Sequence, residues 1–96
     1  MQNSYIYILA SKKDGVLYIG VTSDIVKRIY EHKNSLKGEF SRRYNVKNLV
    51  YYEIHNDIEE AIKREKRLKK YKREQKVPLI ENKNPEWTDL YNEITL

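Results

Sequence analysis

Between Tyr5 and His32 the chain reads YIYILASKKDGVLYIGVTSDIVKRIYEH, two short runs of β-branched and aromatic residues parted by SKKDG. Such runs, Tyr5 to Ala10 and Val16 to Val21, with turn-forming residues between them, predict a β-hairpin. A helix is predicted to follow directly. Thr22, Ser23 and Asp24 are all good N-caps, and Ile25, Ile29, His32 and Leu36 then recur at three- and four-residue spacing. Alternation along a strand sets Tyr5, Tyr7 and Leu9 on one face; Tyr18 joins them only if the hairpin loop holds an even number of residues. At about 100° per residue Arg28 falls at the margin of the helix's apolar stripe and His32 within it. Two phenols, a guanidinium and an imidazole are therefore predicted to converge above one sheet face.

The rest of the chain must supply the remaining strand and the cover. Lys37 to Val46 contains a glycine and no clean period, and reads as a loop. It carries Arg42 and Arg43 between Phe40 and Tyr44, a pattern with two readings. Guanidinium groups could contact phosphates while the rings stack on unpaired bases, or the rings could anchor the loop on the core. Asn48 to His55, NLVYYEIH, reads as a third strand, with His55 a surface residue at its end. Lys72 to Glu81 predicts a helix that starts late or kinks at Pro78. Asn84-Pro85-Glu86 reads as the start of a last helix, with Trp87, Leu90, Tyr91 and Ile94 on its buried face. The expected fold is α+β, one domain over residues 1–96: a small three-stranded antiparallel sheet covered by helices, in the order β-β-α-β-α-α-α.

Composition narrows the class of partner. The 96 residues include 19 basic and 14 acidic side chains and no cysteine, which removes disulfides and thiolate metal sites. No apolar run is long enough for a signal core or a membrane span, so a soluble, cytoplasmic protein is expected. Nine of the basic residues fall between Lys63 and Lys76, in KREKRLKKYKREQK. That clustering makes a local positive field suited to a phosphate backbone, although a solvated helix face would show the same run.

The helix from about Ile58 to Lys70 contains an anomaly. Ile58, Ala61, Ile62 and Leu68 form its apolar stripe, and Glu65 lies at the centre of that stripe. Burying a carboxylate without a partner costs several kcal/mol, so it must meet a cation, a metal or a pocket open to water. An i,i+4 pair with Lys69 is the bland alternative. Glu59 with Lys63, and Glu60 with Arg64, read as ordinary surface pairs.

Tyr5-Ile6-Tyr7 and Tyr18-Ile19-Gly20, followed by Arg28 and His32 on a helix, resemble the two motifs and the Arg-x-x-x-His helix of the GIY-YIG nuclease superfamily, most of all its small bacterial members. Tyr5 stands where the first motif has glycine. The asparagine that some relatives carry further on has only Asn82 and Asn84 as candidates here. The resemblance implies a metal-dependent endonuclease that hydrolyses phosphodiester bonds. In it Glu65 would hold one divalent ion, Mg2+ or Mn2+, with no small-molecule cofactor. Arg28 would brace the phosphate, Tyr7 or Tyr18 would take the proton of the attacking water, and His32 would orient or relay it. Nearby cations are expected to draw the phenol toward phenolate. Lys27, Arg42, Arg43, Lys66, Lys69 and Lys70 are the expected nucleic-acid contacts. DNA is the expected substrate, with little sequence specificity. The rival classes are a non-catalytic nucleic-acid-binding module of the same fold and a basic protein-interaction domain.

Overall fold

A computed structural model of the chain describes residues 3–34 and 39–96. Strand β1 (Ser4–Ala10) lies at the centre of a three-stranded antiparallel sheet, flanked by β2 (Leu17–Thr22) and β3 (Asn48–His55). Helix α1 (Ile25–Lys33) and a short α2 (Glu39–Arg43) come between β2 and β3. Helices α3 (Ile58–Lys70), α4 (Arg73–Glu81) and α5 (Tyr91–Ile94) follow β3. The fold class and strand order are those expected, with α2 added inside the stretch read as a loop. Its signal was the i,i+4 spacing of Phe40 and Tyr44, whose rings lie 4.8 Å apart and whose backbones are joined by Tyr44 N–H to Phe40 C=O at 3.0 Å. Leu36 lies outside the described residues.

Every β1 residue from Ile6 to Ala10 is completely buried, because helices cover both faces of the sheet. Tyr7 and Leu9 share one face with Ile25 and Ile29 of α1, Val46 and Leu49, and with Tyr91 and Ile94 of α5 packed alongside. Ile6, Ile8 and Ala10 share the other with Ala61 and Leu68 of α3 and Ile80 of α4. A bulge at Val50, between the pairs Ile8–Tyr51 and Leu9–Leu49, turns both Val50 and Tyr51 to this second face.

Two expectations about helices change. Of the two expectations for α4, the late start does not hold: the helix begins at Arg73 and runs through Pro78, whose missing N–H leaves the Glu74 carbonyl without its i+4 donor. The predicted last helix does not begin at Pro85. Trp87 adopts a left-handed φ of 56° and buries its ring among the α3–α4 core, while Leu90, Tyr91 and Ile94 pack on the opposite, α1 side. A continuous helix cannot place one residue on each side of a sheet, so the tail turns around the β3 edge and becomes helical only at Tyr91. Asn84 is consumed in that turn: its amide donates to the Val50 carbonyl at 3.0 Å and the Thr88 carbonyl at 2.8 Å, and its oxygen accepts from Thr88 N–H.

Candidate active site

The loop parity posed by the sequence is resolved by register. Ala10 pairs with Leu17, so residues 11–16, an even number, lie between the strands, and Tyr18 stands opposite Leu9 on the Tyr7 face. Gly20, directly across from Tyr7, leaves room for the phenol. A Cβ there would lie 2.4 Å from Tyr7 Oη, so the glycine is what lets this ring lie across β2. Helix α1 then brings the other two groups over the same face. It is capped by Asp24, whose carboxylate accepts the Lys27 N–H at 3.1 Å, and Ile25, Ile29 and His32 form its buried stripe.

Tyr7, Tyr18, Arg28 and His32 meet as expected. Tyr7 Oη and His32 Nε2 are 3.1 Å apart; the Tyr7 and Tyr18 ring centroids are 6.3 Å apart, and Tyr18 and His32 5.3 Å. Arg28, half-exposed, pairs with Glu31 at 3.6 Å and lies in hydrogen-bonding range of the Tyr7 phenol. A guanidinium only donates. Tyr7 Oη accepts from Arg28 and is shared by Tyr18 and His32 Nε2, and the His32 tautomer sets which of those two receives the phenol proton.

The electrostatics correct one expectation. Burial pushes the Tyr7 phenol up to about 12, Tyr18 adds to the rise, and Arg28 only partly opposes them. The cation does not make this phenol a phenolate, because desolvation outweighs it. Tyr7 is a neutral link between Arg28 and His32, and the half-buried Tyr18 is the phenol open to a reactant. Burial also lowers the His32 pKa, with the Arg28 charge acting in the same direction and Glu31 against it. The imidazole is thus neutral at pH 7.

Outward from Tyr18 the rings continue: Phe40 lies 5.8 Å from Tyr18, Tyr44 packs on Phe40 with the rings tilted at 44°, and the Arg43 guanidinium sits 5.7 Å from the Tyr44 ring. Phe40 and Tyr44 are exposed, so of the two readings of this segment the core-anchor one is not what the structure shows. Lys27, Arg42, Arg43, Lys66, Lys69 and Lys70 are all exposed.

Glu65 belongs to α3, which packs on the other face of the sheet, chiefly over β2 and β1. The sheet therefore lies between α3 and the four-residue cluster, and the way from one to the other runs around the β2 edge, toward which Tyr7 leans. The Glu65 side chain is 14% exposed and pairs with Lys69 at 3.3 Å, the bland alternative posed above. It does not occupy the centre of the buried stripe, since Ile58 and Ile62 are exposed and Ala61 and Leu68 are buried. Arg64 likewise bonds Glu53 of β3, not Glu60; Lys63 pairs with Glu60 at 3.6 Å. His55, at the end of β3, is partly exposed and its Nε2 lies 2.9 Å from Glu53. Among the described residues no three His, Cys, Asp or Glu side chains converge. A lone carboxylate of hard oxygen donors fits Mg2+ or Mn2+, which keep waters and take substrate phosphates as further ligands, and would not suffice for zinc.

Comparisons with known proteins bear on the family and the fold. A UPF0213 protein of Staphylococcus saprophyticus is 40% identical over 83% of this chain and 96% of its own length. Another, of Clostridium perfringens, is 38% identical over 97% of this chain and 99% of its own. The solution NMR structure of a UPF0213 protein from Bacillus halodurans, 31% identical, aligns with a TM-score of 0.57 over 91% of this chain and 92% of that one. No described helix is long and apolar enough to cross a membrane. Residues 3–77 match the model of the GIY-YIG catalytic domain. That match runs from just before β1 into α4 and takes in every residue of the tyrosine, arginine and histidine cluster, and it makes this chain a member of the GIY-YIG family.

Proposed function

We propose that the chain is a metal-assisted endonuclease that hydrolyses phosphodiester bonds, with DNA as substrate, and that it engages the strand where bases are unpaired. The observation that carries this reading is the Tyr7–His32–Arg28 arrangement beside an open Tyr18, continued outward by the Phe40–Tyr44 ledge. Arg28 is the fixed positive charge for the extra negative charge of the transition state. Tyr18 faces the attacking water, and neutral His32 is the group able to hold the proton, which reaches its Nε2 through the Tyr7 hydroxyl: the phenol oxygen takes up one proton as it gives its own to the imidazole. Glu65 would hold the divalent ion, which when bound supplies Lewis-acid stabilisation of the phosphate. Exposed Phe40 and Tyr44 suit stacking of unpaired bases, and Arg42 and Arg43 suit the neighbouring phosphates.

Incubation with labelled single-stranded, branched and duplex DNA and RNA, each with Mg2+, Mn2+ or EDTA, tests the reading. Cleavage is expected with metal only. Glu65→Gln should abolish it while leaving affinity in EDTA intact, and Arg28→Ala should slow it on the order of 10²–10³-fold, as for removal of a comparable transition-state donor. Binding by wild type and both variants with no cleavage under any condition would make the chain a non-catalytic module of this fold.

A further inference from the structure

The roll of α3 about its axis is not the one its apolar residues would choose. At about 100° per residue, Ile58, Ala61, Ile62 and Leu68 average to the angle of Glu65. Packing on those four alone would press that carboxylate flat against the sheet. Ala61 and Leu68 are indeed completely buried, but Ile58 is 46% and Ile62 37% exposed. The buried side is turned by roughly 50° from Glu65 toward Arg64. Leaving two isoleucines in water forfeits apolar burial, so another interaction must hold the helix there.

That interaction lies on the side to which the helix has turned. Glu53 stands opposite Ile6 in register and so faces α3 from β3. Arg64 meets it with a two-pronged contact, Nε at 3.1 Å from Oε1 and Nη2 at 2.9 Å from Oε2. Tyr51 Oη donates to the same carboxylate and His55 Nε2 lies 2.9 Å from it. Burial alone would raise the Glu53 pKa, but the hydrogen bonds from Arg64, Tyr51 and His55 hold it down at about 2. The pair is mostly covered, and a planar fork on a carboxylate fixes direction as well as distance.

We propose that the Glu53–Arg64 pair is a positioning clamp that sets the roll of α3 and thereby brings the Glu65 carboxylate from beneath the helix to its margin, where a cation can reach it. A cation from the solvent side already does: the exposed Lys69 ammonium sits 3.3 Å from Glu65. The metal half of this inference rests on Glu65 being the metal ligand; the roll does not.

The chain has no cysteine, so Ile62→Cys adds a single thiol that reports the roll. Alone, it should react quickly with a maleimide. Combined with Glu53→Gln and Arg64→Gln, which remove both charges so that neither is left buried alone, the helix should roll back and labelling should slow severalfold. A role confined to stability would loosen the helix and speed labelling. Arg64→Lys, which keeps the charge and loses the fork, should fall between the two, and it carries the test should the doubly neutral variant fail to give a native circular dichroism spectrum. In parallel, Mn2+ binding is followed by electron paramagnetic resonance in the presence of a phosphorothioate oligonucleotide. The clamp variants should bind Mn2+ about tenfold more weakly, the effect typical of losing a residue that orients a metal ligand. Labelling that is unchanged or faster overturns the clamp. Slower labelling with unchanged Mn2+ affinity, where Glu65→Gln does weaken it, overturns the link from roll to metal. Glu65→Gln that binds Mn2+ as wild type does overturns the metal assignment and leaves the roll to be judged by labelling alone.

Discussion

His32 is the member of the cluster whose ordinary pKa lies nearest neutral pH, and the surrounding structure displaces it. Burial and the Arg28 charge both disfavour its imidazolium, so protonation is displaced below the ordinary histidine value of about 6.5. If neutral His32 receives the proton of the attacking water, kcat/KM should fall on the acid side only below that value. Arg28→Gln removes one of the two causes. The acid limb should then move up toward the ordinary value without reaching it, since burial remains, while the rate drops. A limb that stays in place in a pH–rate profile of Arg28→Gln would detach His32 from the proton path. The same depressed pKa makes folding favour the neutral ring, so its stability contribution is complete above about 6.5 and is lost as pH falls through the folded value. Melting measured across that range separates the two effects.

At the level of elements, what could be read from sequence depended on how local the deciding interaction was. The β1–β2 hairpin and the Asp24 cap are local, and the even loop that sets Tyr7 beside Tyr18 needed only a count of residues. The roll of α3 was misjudged because four apolar residues were weighed without Arg64, whose partner on β3 is eleven positions away. The tail looked like a capped helix because Asn84-Pro85-Glu86 is a sound local start; docking Trp87 and Leu90 on opposite faces overrides it. Five residues of α2 escaped notice for lack of length, yet α2 carries Phe40 and positions Tyr44 just beyond its end. Phe40→Ala and Tyr44→Ala should each weaken binding of single-stranded oligonucleotides by about 1–3 kcal/mol, the range for loss of one base stack, and leave duplex affinity nearly unchanged. Equal losses on both substrates in a fluorescence anisotropy titration would show that the rings are not a stacking platform.

For the molecule as a whole, the tail binds the two layers together. Asp89 accepts the Leu49 N–H at 3.1 Å and also receives Lys33 of α1, Leu90 N–H donates to the Leu49 carbonyl at 2.7 Å, and the Lys33 ammonium lies 5.2 Å from the centre of the Tyr91 ring. The helix that carries Arg28 and His32 thus leans on residues 89–91, whereas the family match ends at residue 77. The stretch matched by the family model and the mechanical unit have different borders in this chain. A segment that holds none of Tyr7, Tyr18, Arg28 and His32 acts as a tensioning cord for the helix that carries two of them. Removing residues 84–96 should leave every member of the cluster in the chain and still reduce cleavage, with the amides of α1 gaining deuterium faster in hydrogen-exchange mass spectrometry than those of α3. Uniform exchange in both helices would mean that the cord holds nothing in particular. Where the expected difference is found, changes confined to the tail become a way to tune the rate of the site from about one sheet-width away, without touching a residue that meets the substrate.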